Sequence, residues 1–190
     1  MKLIGLALAG LIAVAGFSGA ASAAEDDFLT IQLKDGPVVV ELLPDVAPKH
    51  VERVKELASK GEYDNVAFHR VIEGFMAQTG DVEFGDIEDG YDAGRAGTGG
   101  ASMPNLPAEF SSVPFERGTL GMARAQDPNS ANSQFFIMFA DGSFLNGQYT
   151  VFGRVVSGME LVDKIKRGEG GNGEVTDPDR MIKVTVGRPQ

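Results

Sequence analysis

Apolar and polar residues alternate along much of the chain beyond residue 27. Across residues 28–43 the alternation continues on both sides of Asp35-Gly36, a dipeptide that tolerates positive φ and suits a tight turn. This pattern predicts a β-hairpin at the start of the domain. Further short segments, separated by Gly, Pro and polar residues, are also typical of strands. They cover residues 66–72, 75–79, 119–124, 134–139, 149–155 and 181–186.

Two segments have the period of a helix instead. Residues 48–60 begin with Pro48, which suits a first helical turn, and stop before Gly61. Residues 159–167 form a shorter amphipathic segment that stops at Gly168. The aligned apolar positions are Val51, Val54, Leu57 and Ala58 in the first segment and Met159, Val162 and Ile165 in the second.

The order of these elements predicts the fold class. Eight short strands and only two helices favour an antiparallel sandwich or barrel, because a parallel sheet needs a helix at nearly every crossover. A chain of 190 residues is long enough to bury one core. We therefore expect residues 24–190 to form a single, mainly β domain.

The first 23 residues predict a cleavable export signal. Lys2 precedes an apolar run over residues 3–17, and small residues follow it, ending in Ala21-Ser22-Ala23. A membrane anchor fits less well, because glycines interrupt the run and no basic stop-transfer flank follows it. We therefore expect cleavage before Ala24, a periplasmic protein and no stable membrane insertion.

Composition narrows the possible chemistry. The 27 acidic side chains outnumber the 17 basic ones, so the formal net charge is −10 and nucleic acid is not an expected partner. The absence of Cys excludes thiolate nucleophiles, disulfides and thiolate metal sites. The two His are too few for a three-histidine metal site. We expect neither a metal nor another cofactor.

Six sequence blocks, in order along the chain, carry a family resemblance. They read Phe-His-Arg-Val-Ile-Glu-Gly-Phe-Met-Ala-Gln-Thr-Gly at 68–80, Gly-Thr-Gly-Gly at 97–100, Gly-Met-Ala-Arg-Ala at 121–125, Ser-Gln-Phe-Phe-Ile at 133–137, Phe-Leu-Asn-Gly at 144–147 and Val-Phe-Gly at 151–153. The blocks resemble the cyclophilin family of peptidyl-prolyl cis–trans isomerases. Gly-Thr-Gly-Gly alone would be a weak signal, but several unconnected blocks in one order are specific.

The resemblance implies a closed eight-stranded antiparallel β-barrel capped by two α-helices, with a packed core and a site on its outer wall. It implies an enzyme that accelerates rotation about Xaa-Pro bonds in flexible chains and so assists the folding of exported proteins. We expect a monomer.

Arg70 resembles the catalytic arginine of the family. The expected substrate-binding residues are Phe75, Met76, Phe136 and Leu145 around the proline ring, Gln78 and Gln134 along the groove, Ala123 and Arg124 through their backbone, Gly97 and Thr98 at a neighbouring pocket, and Phe144 and Tyr149 at the rim.

These residue types suit the reaction. In the twisted transition state the proline nitrogen loses resonance and offers a lone pair, to which a fixed guanidinium can donate a hydrogen bond. Rotation breaks no covalent bond, so it needs neither a nucleophile nor a cofactor. His69 is expected on the opposite strand face from Arg70, in a hydrogen-bonded structural role rather than as a general base, and His50 is expected in solvent on the first helix.

Three rim positions depart from the family. Phe144 stands where many members carry a Trp that is associated with cyclosporin contact, so weak cyclosporin binding is expected. Tyr149 stands where many members carry His. Arg124 replaces a common Asn, and we expect it to alter the preference beside the proline while catalysis survives, since the family contact there is made mainly by backbone.

An acidic, Gly-rich insertion occupies residues 82–96 relative to compact cyclophilins. It does not fit a calcium-binding EF-hand, because Gly90 at the sixth loop position would place Gly85 and Ile87 where carboxylates are needed. A solvated loop over residues 81–92 is the prediction. We hypothesise that its charge biases the choice of substrate.

A second function stays open on the same residues. A binding module or holding chaperone would grip proline-containing segments in this groove without turnover. Arg70 discriminates between the two functions, because only catalysis needs a donor that acts in the transition state.

Overall fold

The computed structural model of the protein describes residues 24–189, so the predicted export signal over residues 1–23 lies outside the described residues. The strands are β1 (Phe28–Leu33), β2 (Gly36–Leu42), β3 (Arg70–Ile72), β4 (Met76–Thr79), β5 (Thr119–Met122), β6 (Phe135–Met138), β7 (Val151–Ser157) and β8 (Lys183–Val186). The helices are α1 (Pro48–Ser59) and α2 (Met159–Val162). In this part of the chain, no helix has the length and apolar character needed to cross a membrane.

All eight strands belong to one antiparallel sheet, in the order β3-β4-β6-β5-β7-β2-β1-β8. The predicted opening hairpin is confirmed as β1 and β2. Its two loop residues are Lys34 and Asp35, and Gly36 begins β2 with φ at 140°. The turn therefore lies one residue earlier than the predicted Asp35-Gly36.

The sheet is curled but open, which corrects the predicted closure of the barrel. β3 and β8 stand at the two ends of the strand order and share no ladder. Single backbone bonds connect the β3 region to the irregular chain before β8: the Val71 amide donates to the Gly173 carbonyl at 2.7 Å, and the Phe68 amide to the Asp179 carbonyl at 2.8 Å. Isolated contacts thus stand where a closed barrel would have a continuous strand pair.

β3 is shorter than the strand predicted over residues 66–72. The amide of Ala67 donates to the Gly85 carbonyl at 2.8 Å, whereas the Val66 carbonyl accepts from the Met181 amide at 2.9 Å. Because these neighbouring residues bond to different segments, no single partner strand runs beside them. Only β3 itself keeps a ladder, with β4.

The first predicted helix is confirmed, and the second is shorter than predicted. α1 begins at Pro48 and buries its apolar face. α2 covers one turn, after which the Ile165 amide donates to the Val162 carbonyl at 3.1 Å in a tighter bond. The Lys166 amide then donates to the Asp179 carboxylate at 2.8 Å, so a side chain takes the place of the next helical bond.

Strand alternation divides the apolar side chains into two clusters. Phe135 and Ile137 of β6 belong to the main core, where Phe135 contacts Tyr63 and Phe152 edge-on. The intervening side chains of β6 belong to a separate cluster on the other side of the sheet. This outer cluster consists of Met76, Phe115, Phe136, Met138, Leu145 and Val151.

Candidate active site

A row of four residues crosses the outer face of the sheet. In the strand register, Arg70 of β3 is opposite Gln78 of β4, which is opposite Phe136 of β6. Phe136 in turn is opposite Gly121 of β5. The pairing of three short strands thus places a cation, an amide and an aromatic ring side by side.

Gly121 lets the Phe136 ring lie across β5. A Cβ atom at residue 121 would stand 2.6 Å from Cε1 of Phe115 and would also overlap the Phe136 ring. The two phenylalanine rings stack with centroids 5.7 Å apart, and Tyr149 contacts Phe136 edge-on at 5.8 Å. The missing side chain therefore allows a flat apolar floor beside Arg70.

A hollow of about 330 Å3 opens above this floor. Ten of the residues predicted for the site line it: Arg70, Phe75, Met76, Gln78, Ala123, Arg124, Phe136, Phe144, Leu145 and Tyr149. A second hollow of about 280 Å3 shares Gln78, Ala123 and Arg124 with the first and contains the remaining three, Gly97, Thr98 and Gln134. The structure therefore brings all the predicted site residues into one groove with two hollows.

Arg70 is held in place by neutral groups. Its Nε donates to the Asn172 carbonyl at 2.9 Å, and its Nη1 donates to Oε1 of Gln78 at 3.2 Å. Among residues 24–189, no carboxylate pairs with this guanidinium and nothing accepts a hydrogen bond from its Nη2. Burial lowers the pKa of the Arg70 guanidinium, but arginine stays protonated in proteins.

Two glutamines continue the hydrogen bonding away from Arg70. Nε2 of Gln78 donates to Oε1 of Gln134 at 3.0 Å, and Nε2 of Gln134 donates to the Gly99 carbonyl at 2.8 Å. Each amide has its oxygen towards Arg70 and its nitrogen away from it. The side chain of Gln78, which contacts the arginine, is therefore oriented by a chain of hydrogen bonds that reaches Gly99, just beyond the 82–96 insertion.

Asp81 ties the two ends of that insertion together. Its carboxylate is fully buried and accepts from four backbone amides: those of Glu83 and Phe84 on one side and those of Gly97 and Gly99 on the other, at 2.7–3.1 Å. The predicted solvated loop over residues 81–92 is thus wrong for its first residue. The acidic composition of the segment hid this role, although an Asp that bonds amides two and three residues ahead is a known turn pattern.

Much of the rest of the insertion lies on the surface, but Gly85 is buried and its carbonyl accepts from the Ala67 amide at 2.8 Å. Glu83, Glu88 and Asp89 are exposed, as predicted. The Arg95 guanidinium covers the Phe84 ring, with its carbon 3.5 Å from the ring centroid, and Arg180 pairs with Glu88 at 2.8 Å. The insertion is therefore folded onto the domain at several points.

The three rim residues that differ from those common in the family have different surroundings. Phe144 is 63 % exposed and tilts against Phe75 with ring centroids 5.5 Å apart. The Arg124 guanidinium lies 4.5 Å from the centroid of the Tyr149 ring and donates to the Gln148 carbonyl from Nε at 3.2 Å and from Nη2 at 2.9 Å. Arg124 therefore contributes its side chain, as well as its backbone, to the groove wall.

Both histidines are buried. His69 lies behind Gly97, where a Cβ atom would stand 2.9 Å from its ring, and burial lowers its pKa. Among the described residues neither of its ring nitrogens has a hydrogen-bond partner, which corrects the predicted hydrogen-bonded role. His50 is fully buried and its Nδ1 contacts the Glu109 carboxylate at 2.6 Å, which corrects its predicted exposure. Desolvation outweighs Glu109 and lowers the pKa of His50 as well. Neither histidine lines the two hollows.

We expect Asp81→Asn to loosen the base of the insertion. The amide nitrogen of Asn would face backbone N–H groups that now share a carboxylate, and each unsatisfied buried donor costs about 1–3 kcal/mol. Amide hydrogen exchange at Gly97 and Gly99 should accelerate, and the free energy of unfolding should fall by about 2–3 kcal/mol.

Asp86→Asn is the matched control for this substitution. Asp86 also accepts from amides two and three residues ahead, at 2.8 and 3.2 Å, but those bonds are exposed to water. It should change neither the exchange at Gly97 nor the unfolding free energy appreciably. Equal effects of the two variants would show that Asp81 has no special role.

Comparison with protein families gives a match over nearly the whole described chain. The family described as "Cyclophilin type peptidyl-prolyl cis-trans isomerase/CLD" matches residues 28–186. A protein of Brucella suis named "Probable peptidyl-prolyl cis-trans isomerase" is 61 % identical over 191 residues, which covers 98 % of this chain and 97 % of the relative. A Dictyostelium discoideum protein named "Peptidyl-prolyl cis-trans isomerase cypE" is 37 % identical over 162 residues, which covers 83 % of this chain and 96 % of the relative.

Solved structures agree with these sequence matches. A Cryptosporidium parvum cyclophilin-type isomerase, crystallised in the presence of the dipeptide Ala-Pro, superimposes with a TM-score of 0.72 and 27 % identity, covering 85 % of this chain and 99 % of that one. The cyclophilin AquaCyp293 of Hirschia baltica has a TM-score of 0.73 at 24 % identity, covering 86 % of this chain and 75 % of that one, and supports the fold. The chain therefore belongs to the cyclophilin family, and it is a peptidyl-prolyl cis–trans isomerase.

Proposed function

We propose that the first hollow seats the proline ring of an Xaa-Pro segment and that Arg70 is the catalytic residue. The observation that carries this proposal is the donor capacity of Arg70, whose Nη2 faces no partner in the described chain while its Nε and Nη1 are held by Asn172 and Gln78. In the strand register only Gln78 separates Arg70 from Phe136 of the apolar floor. A ring on this floor would have its nitrogen beside a charged donor.

The barrier explains why such a donor accelerates rotation. Resonance makes the peptide C–N bond planar, with a rotation barrier of about 18–20 kcal/mol, and proline exchange takes tens of seconds or longer without a catalyst. At the transition state the proline nitrogen is pyramidal and its lone pair accepts a hydrogen bond that the planar amide cannot accept. Donation from Arg70 therefore lowers the barrier instead of merely tightening binding.

The surroundings of Arg70 support this role in two ways. Half-burial strengthens a hydrogen bond from the guanidinium, because water competes less for the donor. The neutral partners leave its positive charge uncompensated, whereas a carboxylate would have attracted the donor away from substrate. The apolar side chains of Phe136 and Leu145 hold a ring without offering any competing acceptor.

We further propose that the protein works as a monomer on proline-containing segments of exported proteins and assists their folding in the periplasm. All thirteen residues predicted for the site lie in this chain and meet in one groove, so the proposed reaction needs no residue from a second copy. The Lys2, apolar and Ala-Ser-Ala order of residues 1–23 supports export, with residues 24–190 as the working domain.

We expect Arg70→Ala to lower kcat/KM for an Ala-Pro peptide by about 10²–10³-fold, because it removes a donor that acts at the transition state. Arg70→Lys keeps the charge but loses the planar fork, so its loss should be smaller. The measurement is a protease-free assay of cis–trans exchange in the Ala-Pro peptide at equal enzyme concentrations.

Arg154→Ala serves as the control, since Arg154 makes an exposed pair with Glu41 at 2.6 Å and lies outside both hollows. It should retain full activity. An unchanged rate in Arg70→Ala, with peptide binding intact, would favour the binding-module function over catalysis.

The export proposal is tested on the full chain, expressed in a bacterium with two membranes. We expect the mature protein in the periplasmic fraction with Ala24 as its first residue. Ala23→Asp should block this processing, because the cleavage site requires a small residue there. Mature protein that still begins with Met1 or Lys2 would contradict the proposal.

Weak cyclosporin binding is expected from Phe144. A phenyl ring at this exposed rim position lacks the N–H group of the indole that many relatives carry. Phe144→Trp should lower the cyclosporin concentration needed for inhibition while the isomerase rate changes little. Submicromolar inhibition of the unmodified protein would contradict this expectation.

A further inference from the structure

The groove is a positively charged place on a negatively charged protein. Of the residues lining the two hollows, Arg70 and Arg124 carry charge and none is Asp or Glu. The chain as a whole has a net charge of −10. Such a reversal of sign acts over a short range, because ions screen charges beyond about 8 Å at physiological ionic strength.

These two cations also differ from most others in the described chain. Nine Lys and Arg side chains have a carboxylate within 4.0 Å: Lys34, Lys55, Lys60, Arg117, Arg154, Lys166, Arg167, Arg180 and Lys183. Arg70 and Arg124 form no such pair with any residue from 24 to 189. Their charges are therefore available to a ligand.

Arg124 is already ordered for this role. Its Nη1 donates to the carbonyls of Ala125 at 2.8 Å and Gln126 at 3.3 Å, in addition to the two bonds to Gln148. Carbonyl oxygens orient the guanidinium but carry no net charge, so they leave it a cation. Because the side chain is fixed before a ligand arrives, little conformational entropy is lost on binding.

The position of Arg124 decides which part of a substrate it would meet. It lies in the wall between the two hollows, next to Ala123, and stacks on Tyr149 at the rim of the first. A guanidinium has five N–H donors, and four contacts to protein carbonyls leave one N–H of Nη2 without a partner among the described residues. A chain that seats proline in one hollow must place an adjoining residue near this donor.

We propose that Arg124 makes this isomerase prefer substrates with a carboxylate side chain next to the proline. The inference rests on the proposed use of the first hollow for the proline ring. It assigns the side chain of Arg124 a role in substrate specificity. The negative charge of the insertion 82–96 would instead favour positively charged substrates. The residue does not take part in bond rotation, so uncharged substrates depend on it much less.

The test uses peptides blocked at both ends, with Glu or Gln either immediately before or immediately after the proline. Because Glu and Gln have nearly the same shape, their kcat/KM ratio isolates the charge. We expect the wild-type ratio to favour Glu by about two- to fivefold at one of the two positions, at physiological ionic strength, as for a partly exposed ion pair.

Arg124→Gln should reduce this Glu-to-Gln ratio to about one or below. A merely structural role of Arg124 would lower the rates of both peptides equally and leave the ratio unchanged. Arg188→Gln is the matched control, because it changes the net charge by the same unit and Arg188 stacks on Phe28, outside both hollows. It should keep the wild-type ratio.

Two further peptides make the outcomes separable. An Ala-Pro peptide without charge measures the isomerase activity itself, so its failure to react would overturn the proposed site rather than the charge preference alone. A Gln-Pro peptide with a free C-terminal carboxylate tests position, because a rate as high as that of the Glu peptide would show that Arg124 does not select a side chain next to the proline and would overturn the inference. A ratio of one at both positions in the wild type, or a wild-type ratio retained in Arg124→Gln, would overturn the inference.

Discussion

The groove depends on the two-residue period of three short strands. In β3, β4 and β6 every second side chain enters the main core, and the residues between them form the floor and wall of the site. Val71 anchors the strand that presents Arg70, and Ala77 anchors the one that presents Gln78. A shift of one residue in any of these pairings would exchange core and groove, so the stability of the core also maintains the geometry of the site.

This constraint explains why so much of the site could be predicted from the sequence. Alternation and turn residues indicated the strands, and the sequence blocks indicated which apolar side chains, such as Phe136, lie outside the core. The side-chain hydrogen bonds could not be predicted in the same way. They join residues far apart in the chain, as Gln134 joins Gly99, and their existence depends on the final register.

The wrong predictions share a physical cause. The strand before Arg70 and the turn after α2 both lose regular backbone bonds to distant partners, the latter to the carboxylate of Asp179. His50 was expected in solvent on the first helix, but it is buried and Glu109 contacts it from another segment of the chain. The prediction of a closed barrel was wrong because irregular chain with isolated bridges lies where a continuous strand ladder was expected.

Asp81 has a consequence for how this surface can vary. Since Asp81 bonds the amides on both sides of the insertion, the length of its exposed part around Gly90 is uncoupled from the spacing of the groove residues. Evolution can lengthen or shorten such an excursion without refolding what lies beneath it. An engineer could likewise graft a foreign epitope or a small domain there, and carry it on an enzyme whose working face stays intact.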